Sequence, residues 1–277
     1  MRAGTMAAAA AVLVAAVAGS GSAQAAYFVN AVAQLGSEVD GGQQTNGPTS
    51  ATASVGDGRV TASVDLTSGQ VKSYTSFYGP DSPSDFGSSA GVFGDQVTFS
   101  GNGPVNFSFG FDGQIDLDVY DPENTSTIFF LVTANLRVFN AGSGANSSNF
   151  VSHGGALVSD SFNWTFRPTD SFSMSFDELL QGSTLVSAGG TYDVFASFSP
   201  AVALNGHDAD VTMDFSQTAT FGITPDDPGV KFTSASGALL GSAQTMAAVP
   251  EPGTWALMIA GFGLAGAGLR RRRAALA

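Results

Sequence analysis

Few side chains in this 277-residue chain could serve as nucleophile, base or metal ligand, because it has no cysteine and two histidines. Gly87-Ser88-Ser89-Ala90-Gly91 fits the Gly-x-Ser-x-Gly pattern of a serine nucleophile, with carboxylates and then His153 or His207 downstream. That chemistry needs a strand before the serine and a helix after it. Here Pro83-Ser84-Asp85 precedes and Val92-Phe93-Gly94 follows, so the match reads as an accident of a Gly- and Ser-rich chain, and no catalytic residue is assigned. Asp112, Asp116, Asp118, Asp121 and Glu123 fall within twelve residues, and His207, Asp208, Asp210 and Asp214 form a second cluster. Calcium takes six to eight oxygens, which loop ends could offer from Asp112, Asp121 and Glu123. Against that, Asp116 with Asp118, and Asp208 with Asp210 and Asp214, recur at strand spacing as a solvated face does, so the expectation is no metal and no cofactor, calcium being the one candidate. A glycosidase needs two facing carboxylates, and Glu38, Glu123 and Glu178 all sit in contexts that read as loop or turn. Tyr74, Tyr78 and Tyr120 could stack on a sugar, or be ordinary strand residues.

The C-terminal residues carry the most specific chemistry. In Pro250-Glu251-Pro252 two prolines hold one carboxylate in extended backbone, the shape in which a protease or transpeptidase accepts a chain. Trp255 to Leu269 is free of charge, and as a helix it would span about 22 Å against a hydrocarbon core of about 30 Å. Such a rod crosses a membrane only with help from its flanks. Trp255 suits the interface at one end, and Arg270, Arg271, Arg272 and Arg273 stop transfer at the cytoplasmic end, which leaves the preceding chain outside. Gly261 to Gly266 also matches a dinucleotide fingerprint, but no strand and crossover surround it.

Pro250-Glu251-Pro252-Gly253-Thr254-Trp255-Ala256, the apolar run and the arginine cluster resemble the PEP-CTERM sorting signal in its PEP-x-x-W-A form. The resemblance covers about a tenth of the chain, with Leu257 where many members have methionine. It implies a Gram-negative envelope or secreted protein that an exosortase-type membrane enzyme recognises at Pro250, Glu251 and Pro252 and cleaves, after a transient stay in the inner membrane. It further implies a final place at the cell surface or in the extracellular matrix, in association with exopolysaccharide or biofilm.

At the other end, Arg2, an alanine- and valine-rich run from Ala7 to Ala18, and Ala23-Gln24-Ala25 form a secretory signal peptide over residues 1–25. The intervening chain has five cations, Arg59, Lys72, Arg137, Arg167 and Lys231, against 22 carboxylates, a net −17 that excludes nucleic acid as a ligand. Its strands announce themselves by period-two alternation: Val60 to Leu66, Val105 to Phe111, Ile115 to Val119, Phe162 to Phe166, Phe172 to Phe176, Thr191 to Phe198 and Asp208 to Phe215. Asp112-Gly113 between two such runs predicts a tight hairpin. Asp177 to Gln181 reads as a helical turn, Thr127 to Phe139 as a buried central strand, and Gly79 to Gly91 as loop. The expected fold class is all-β, an antiparallel two-sheet sandwich, jelly-roll-like, over residues 26–233, then a tether over 234–249 and the sorting signal with its transmembrane helix over 250–277. The function expected is that of a non-catalytic surface or matrix protein. The alternative is a matrix-modifying hydrolase with the same tail, which paired carboxylates, or Ser89 within reach of a histidine, would reveal.

Overall fold

Where apolar and polar residues alternate, a pleated strand turns one set to a core and the other to water. The computed structural model describes residues 27–45, 48–56, 59–79 and 85–239, and thirteen strands lie among them. These are β1 (Tyr27–Leu35), β2 (Glu38–Thr45), β3 (Ser50–Val55), β4 (Val60–Asp65), β5 (Gln70–Tyr78), β6 (Phe86–Phe99), β7 (Gly103–Val119), β8 (Phe129–Asn140), β9 (Val158–Phe166), β10 (Phe172–Val186), β11 (Thr191–Ala203), β12 (Ala209–Pro225) and β13 (Phe232–Ser234). Among the described residues no helix is long and apolar enough to cross a membrane. The predicted signal peptide, with Ala23 and Ala25, and the predicted tail from Pro250 onward lie outside the described residues.

Two antiparallel sheets result. Sheet A runs β2-β1-β6-β11-β8-β9 with β13 beside β6, and sheet B runs β10-β7-β12-β5-β4-β3. From β5 to β12 the chain winds between the strands β5-β12-β7-β10 and β6-β11-β8-β9 as a jelly roll does, and β1 to β4 widen both sheets on one side. Phenylalanine fills the space between them: Phe93, Phe99, Phe107, Phe109, Phe130, Phe198, Phe215 and Phe221 are fully buried. Each such ring is worth about 1.5–3 kcal/mol in removal from water. Phe111, Phe198 and Phe215 interlock with centroids 4.9 and 5.0 Å apart. A second cluster lies on the outer face of sheet A, where the β8–β9 connection (141–157) folds back and stacks Phe150 on Phe195 at 5.2 Å.

Several expectations are corrected here. No hairpin forms at Asp112-Gly113, because β7 runs straight through both residues and pairs without a break to β10 from Leu117↔Phe172 to Gly103↔Val186. A Cβ on Gly113 would come 2.2 Å from the Phe215 ring and 2.6 Å from the Asp214 carbonyl oxygen, so this glycine answers a close approach of β12, not a turn. The same pairing holds Asp177 to Gln181 in β10, with Phe176 and Leu180 buried and Asp177, Leu179 and Gln181 outward. Tertiary pairing overrides the helical leaning of that segment. β8 is one strand from the edge of sheet A and buries alternate residues as far as Leu136, both faces being covered only over Leu136 to Phe139.

The predicted loop from Gly79 to Gly91 gives way to strand in its second half, where β6 begins at Phe86 and takes in Gly87 to Gly91 between β1 and β11. Residues 234–239, predicted to belong to the tether, are packed on the body. Ser234 closes β13, the Ala235 amide donates to the Gln96 carbonyl at 2.8 Å, and Leu239 is fully buried. The cause is Asp95, whose carboxylate accepts from the Ser236 amide at 3.2 Å and its hydroxyl at 2.5 Å.

Candidate functional site

Ser89 lies mid-strand in β6, fully buried, and faces β5 across the core. Its hydroxyl bonds Ser73 and lies 3.2 Å from Thr75 Oγ1. A Cβ on Gly87 would stand 2.4 Å from the Phe77 ring, and one on Gly91 2.3 Å from Val71 Cγ1. All three residues of the i, i+2, i+4 set thus point into the tightest part of the core, so packing accounts for the Gly-x-Ser-x-Gly spacing. Neither histidine joins it. His153 sits in the 141–157 connection, its Nε2 3.0 Å from the Ser143 carbonyl and its ring 5.5 Å from Phe139.

His207, in the β11–β12 connection, is buried and lies at a polar corner. Its Nδ1 is 3.1 Å from Asp121 Oδ1 and its Nε2 2.8 Å from the Ser126 carbonyl. Asn124 Nδ2 donates to Asp121 at 3.0 Å and to the Gly206 carbonyl at 3.0 Å, tying the two connections together. Burial works against charge on Asp121, but hydrogen bonds from Asn124, the Asp208 backbone amide and His207 outweigh it and hold the carboxyl below the usual range. The three calcium candidates do not converge. Asp112 stands on β7 nine residues before Asp121, a run of about 30 Å at strand rise, and Glu123 is exposed in the loop beyond. Among the described residues no group of three metal-ligating side chains comes together. Glu38, Glu123 and Glu178 are likewise dispersed: β2 and β10 lie at opposite margins of the sandwich, and Glu123 lies between β7 and β8.

The other acidic residues of the two clusters line the outer face of sheet B. Register places Asp118 opposite Asp210, Asp116 opposite Thr212, and Asp214 between Gln114 and Tyr74. Tyr78 donates to Asp208 at 2.5 Å and Tyr120 to Asp210 at 2.9 Å. That hydrogen bond, then desolvation and the fields of Asp210, Asp118 and Asp208, push the Tyr120 hydroxyl above the ordinary phenol range. Two tyrosines of the predicted set are thus anchored in a field of carboxylates on an open sheet face.

Two acids escaped the sequence reading. Asp95 follows Phe93 and precedes Val97 on the inward face of β6, and burial raises its carboxyl above the usual range, partly offset by bonds from Ser236 and Gln96. Asp193 lies under the 141–157 connection and is raised by burial too, offset by Gln96 and the Gly142 amide. The signal was available for Asp95, because Phe93, Asp95, Val97 and Phe99 share one parity and so one face.

The comparison with known families falls on the tail. Residues 248–273 match the PEP-CTERM protein-sorting motif. That span takes in Pro250, Glu251, Pro252, Trp255 and Arg270 to Arg273. The motif implies export and sorting at the membrane by an exosortase. No curated protein matches the chain.

Proposed function

We propose that this chain is an exported, non-catalytic surface or matrix protein whose β-sandwich is delivered through the sorting motif and released or anchored by an exosortase-type enzyme acting at Pro250-Glu251-Pro252. The match over residues 248–273 is the observation that carries the reading. It is supported by the order of parts along the chain, with an apolar, small-residue leader at one end and a basic stop at the other. A cysteine-free body of net −17 suits an exterior where solubility must come from charge and cohesion from core burial. Exopolysaccharide is the proposed surrounding, with the open face that carries Tyr74, Tyr78 and Tyr120 as the part that meets it.

The test is the intact mass and cell fraction of the native product beside Glu251→Gln and a deletion of residues 270–273. We expect both variants to accumulate in the inner membrane at the mass of the unprocessed chain, with the native product shorter and outside. A native product that keeps its four arginines at the cell surface overturns the reading.

A further inference from the structure

The outer face of sheet A is built from uncharged side chains. The register sets Gln43, Asn30, Val92, Ser197, Asn135 and Ser161 in one row across β2-β1-β6-β11-β8-β9, a width of about 24 Å at the usual strand spacing. Among the described residues that point outward from these strands, Asp193 and Arg137 alone are charged. Both are buried and bonded, Asp193 to Gln96 and Arg137 to the Leu136 and Asp160 carbonyls. The 141–157 connection that folds over one end of the face has no Asp, Glu, Lys or Arg.

Three oxygens on this face are buried without a hydrogen-bond partner: Asn30 Oδ1, Gln43 Oε1 and Ser88 Oγ. Asn30 is 1% exposed and Ser88 fully buried, although β1 and β6 turn both away from the core. Asn30 and Gln43 are direct cross-strand neighbours, close enough for two amides to bond each other, yet neither oxygen accepts. Ser88 lies on β6 about 13 Å along the strand from Val92 of the same row. A buried polar group left without a partner costs stability, and a partner from outside the chain recovers that cost.

We propose that this face binds an uncharged polysaccharide, laid across the strands with its hydroxyls on the amides of Asn30 and Gln43. A hydroxyl both donates and accepts, so it satisfies an amide in either orientation and a serine equally. Charge selects among polymers: the body of net −17 repels an anionic chain, and a cationic one is drawn instead to Asp116, Asp118, Asp210 and Asp214 on sheet B. The amide pair is reached from the β2 margin, where Val39, Gly41 and Thr45 are exposed and Gln43 is half-buried. The inference rests on the reading that the protein works among exopolysaccharide. It adds the kind of polymer, and a site on the sheet opposite the one that carries Tyr74, Tyr78 and Tyr120.

The exported product is run in native gels cast with laminarin, dextran or hydroxyethylcellulose, which are neutral, or with alginate, which is anionic, beside Asn30→Leu, Gln43→Leu and Tyr120→Ala. We expect at least one neutral polymer to retard the native protein and alginate to leave it unretarded. Asn30→Leu and Gln43→Leu should each raise the apparent dissociation constant several-fold, and by more than Tyr120→Ala does. Their thermal midpoints should equal or exceed the native value, because an unpartnered acceptor is gone. Gln43, half-buried on an edge strand, carries the test if Asn30→Leu does not fold. Retardation by no neutral polymer, equal retardation by alginate, or undiminished binding in both leucine variants overturns the proposal. Binding lost in Tyr120→Ala and kept in both leucine variants also overturns it, and returns the contact to sheet B with the proposed function intact. The processed masses of native protein and Glu251→Gln are read independently of all these outcomes.

Discussion

Asp95 and Asp193 sit where the chain turns a carboxyl away from water, and their effect on stability follows from that placement. Burial raises both above the ordinary carboxylate value of about 3.9. The folded chain therefore holds these protons more tightly than the unfolded chain. Their contribution is fully present below the unfolded value and is lost as pH rises through the raised folded values. Asp95→Asn and Asp193→Asn should each reduce the loss of stability between mildly acidic and neutral pH relative to the native protein. Urea midpoints taken over that range would show it, and an unchanged pH profile in both variants would count against the assignment. Asp121 has the opposite sign, since its lowered carboxyl favours folding above the ordinary range and ceases to do so as pH falls through its folded value. At this scale the face of each side chain was legible from parity. The tightness around it was not: nothing local says that Gly87 and Gly91 meet Phe77 and Val71.

β7 shows how an element can be misread and how the same residues correct the reading. In a two-residue hairpin across Asp112-Gly113, Phe111 would pair with Gln114 and share its face, which would put Asp116 and Asp118 on the apolar side. The apolar set continues instead at Ile115, Leu117 and Val119, in phase with Phe107, Phe109 and Phe111, as one unbroken strand requires. The turn dipeptide is a local signal, and it yields to fifteen residues of continuous pairing with β10, from Gly103 to Leu117, with β12 pairing on either side of its register shift. Gly113→Ala should therefore destabilise the protein by about 1–3 kcal/mol, because the added methyl must displace the Phe215 ring or the β12 backbone. A melting or urea series would measure it. No loss, as at a turn glycine in open space, would return the residue to a loop. Gly142, with a φ of +80° and nothing near its Cβ position, is the comparison in which the strain is conformational alone.

At the scale of the whole body, residues 26–249, 22 carboxylates against five cations make self-repulsion a standing cost of folding. Raising ionic strength from about 0.01 M to about 0.15 M shortens the screening length from about 30 Å to about 8 Å, so the thermal midpoint should rise. A midpoint that falls with added salt would mean that attractive pairs outweigh the repulsion. The sequence by itself determined the class of fold, the net charge, the absence of disulfides and the sorting tail. Those properties are carried by composition, by period-two alternation and by a contiguous motif. Only the tertiary structure decided which strands are neighbours, that Asp112-Gly113 and Asp177 to Gln181 lie within strands, and that Asp95 holds residues 234–239 to the body. The reason is physical: alternation states which face of a strand is buried, but it does not name the strand on either side. Partners far apart in the chain supply the hydrogen bonds and ring contacts that settle where each element ends.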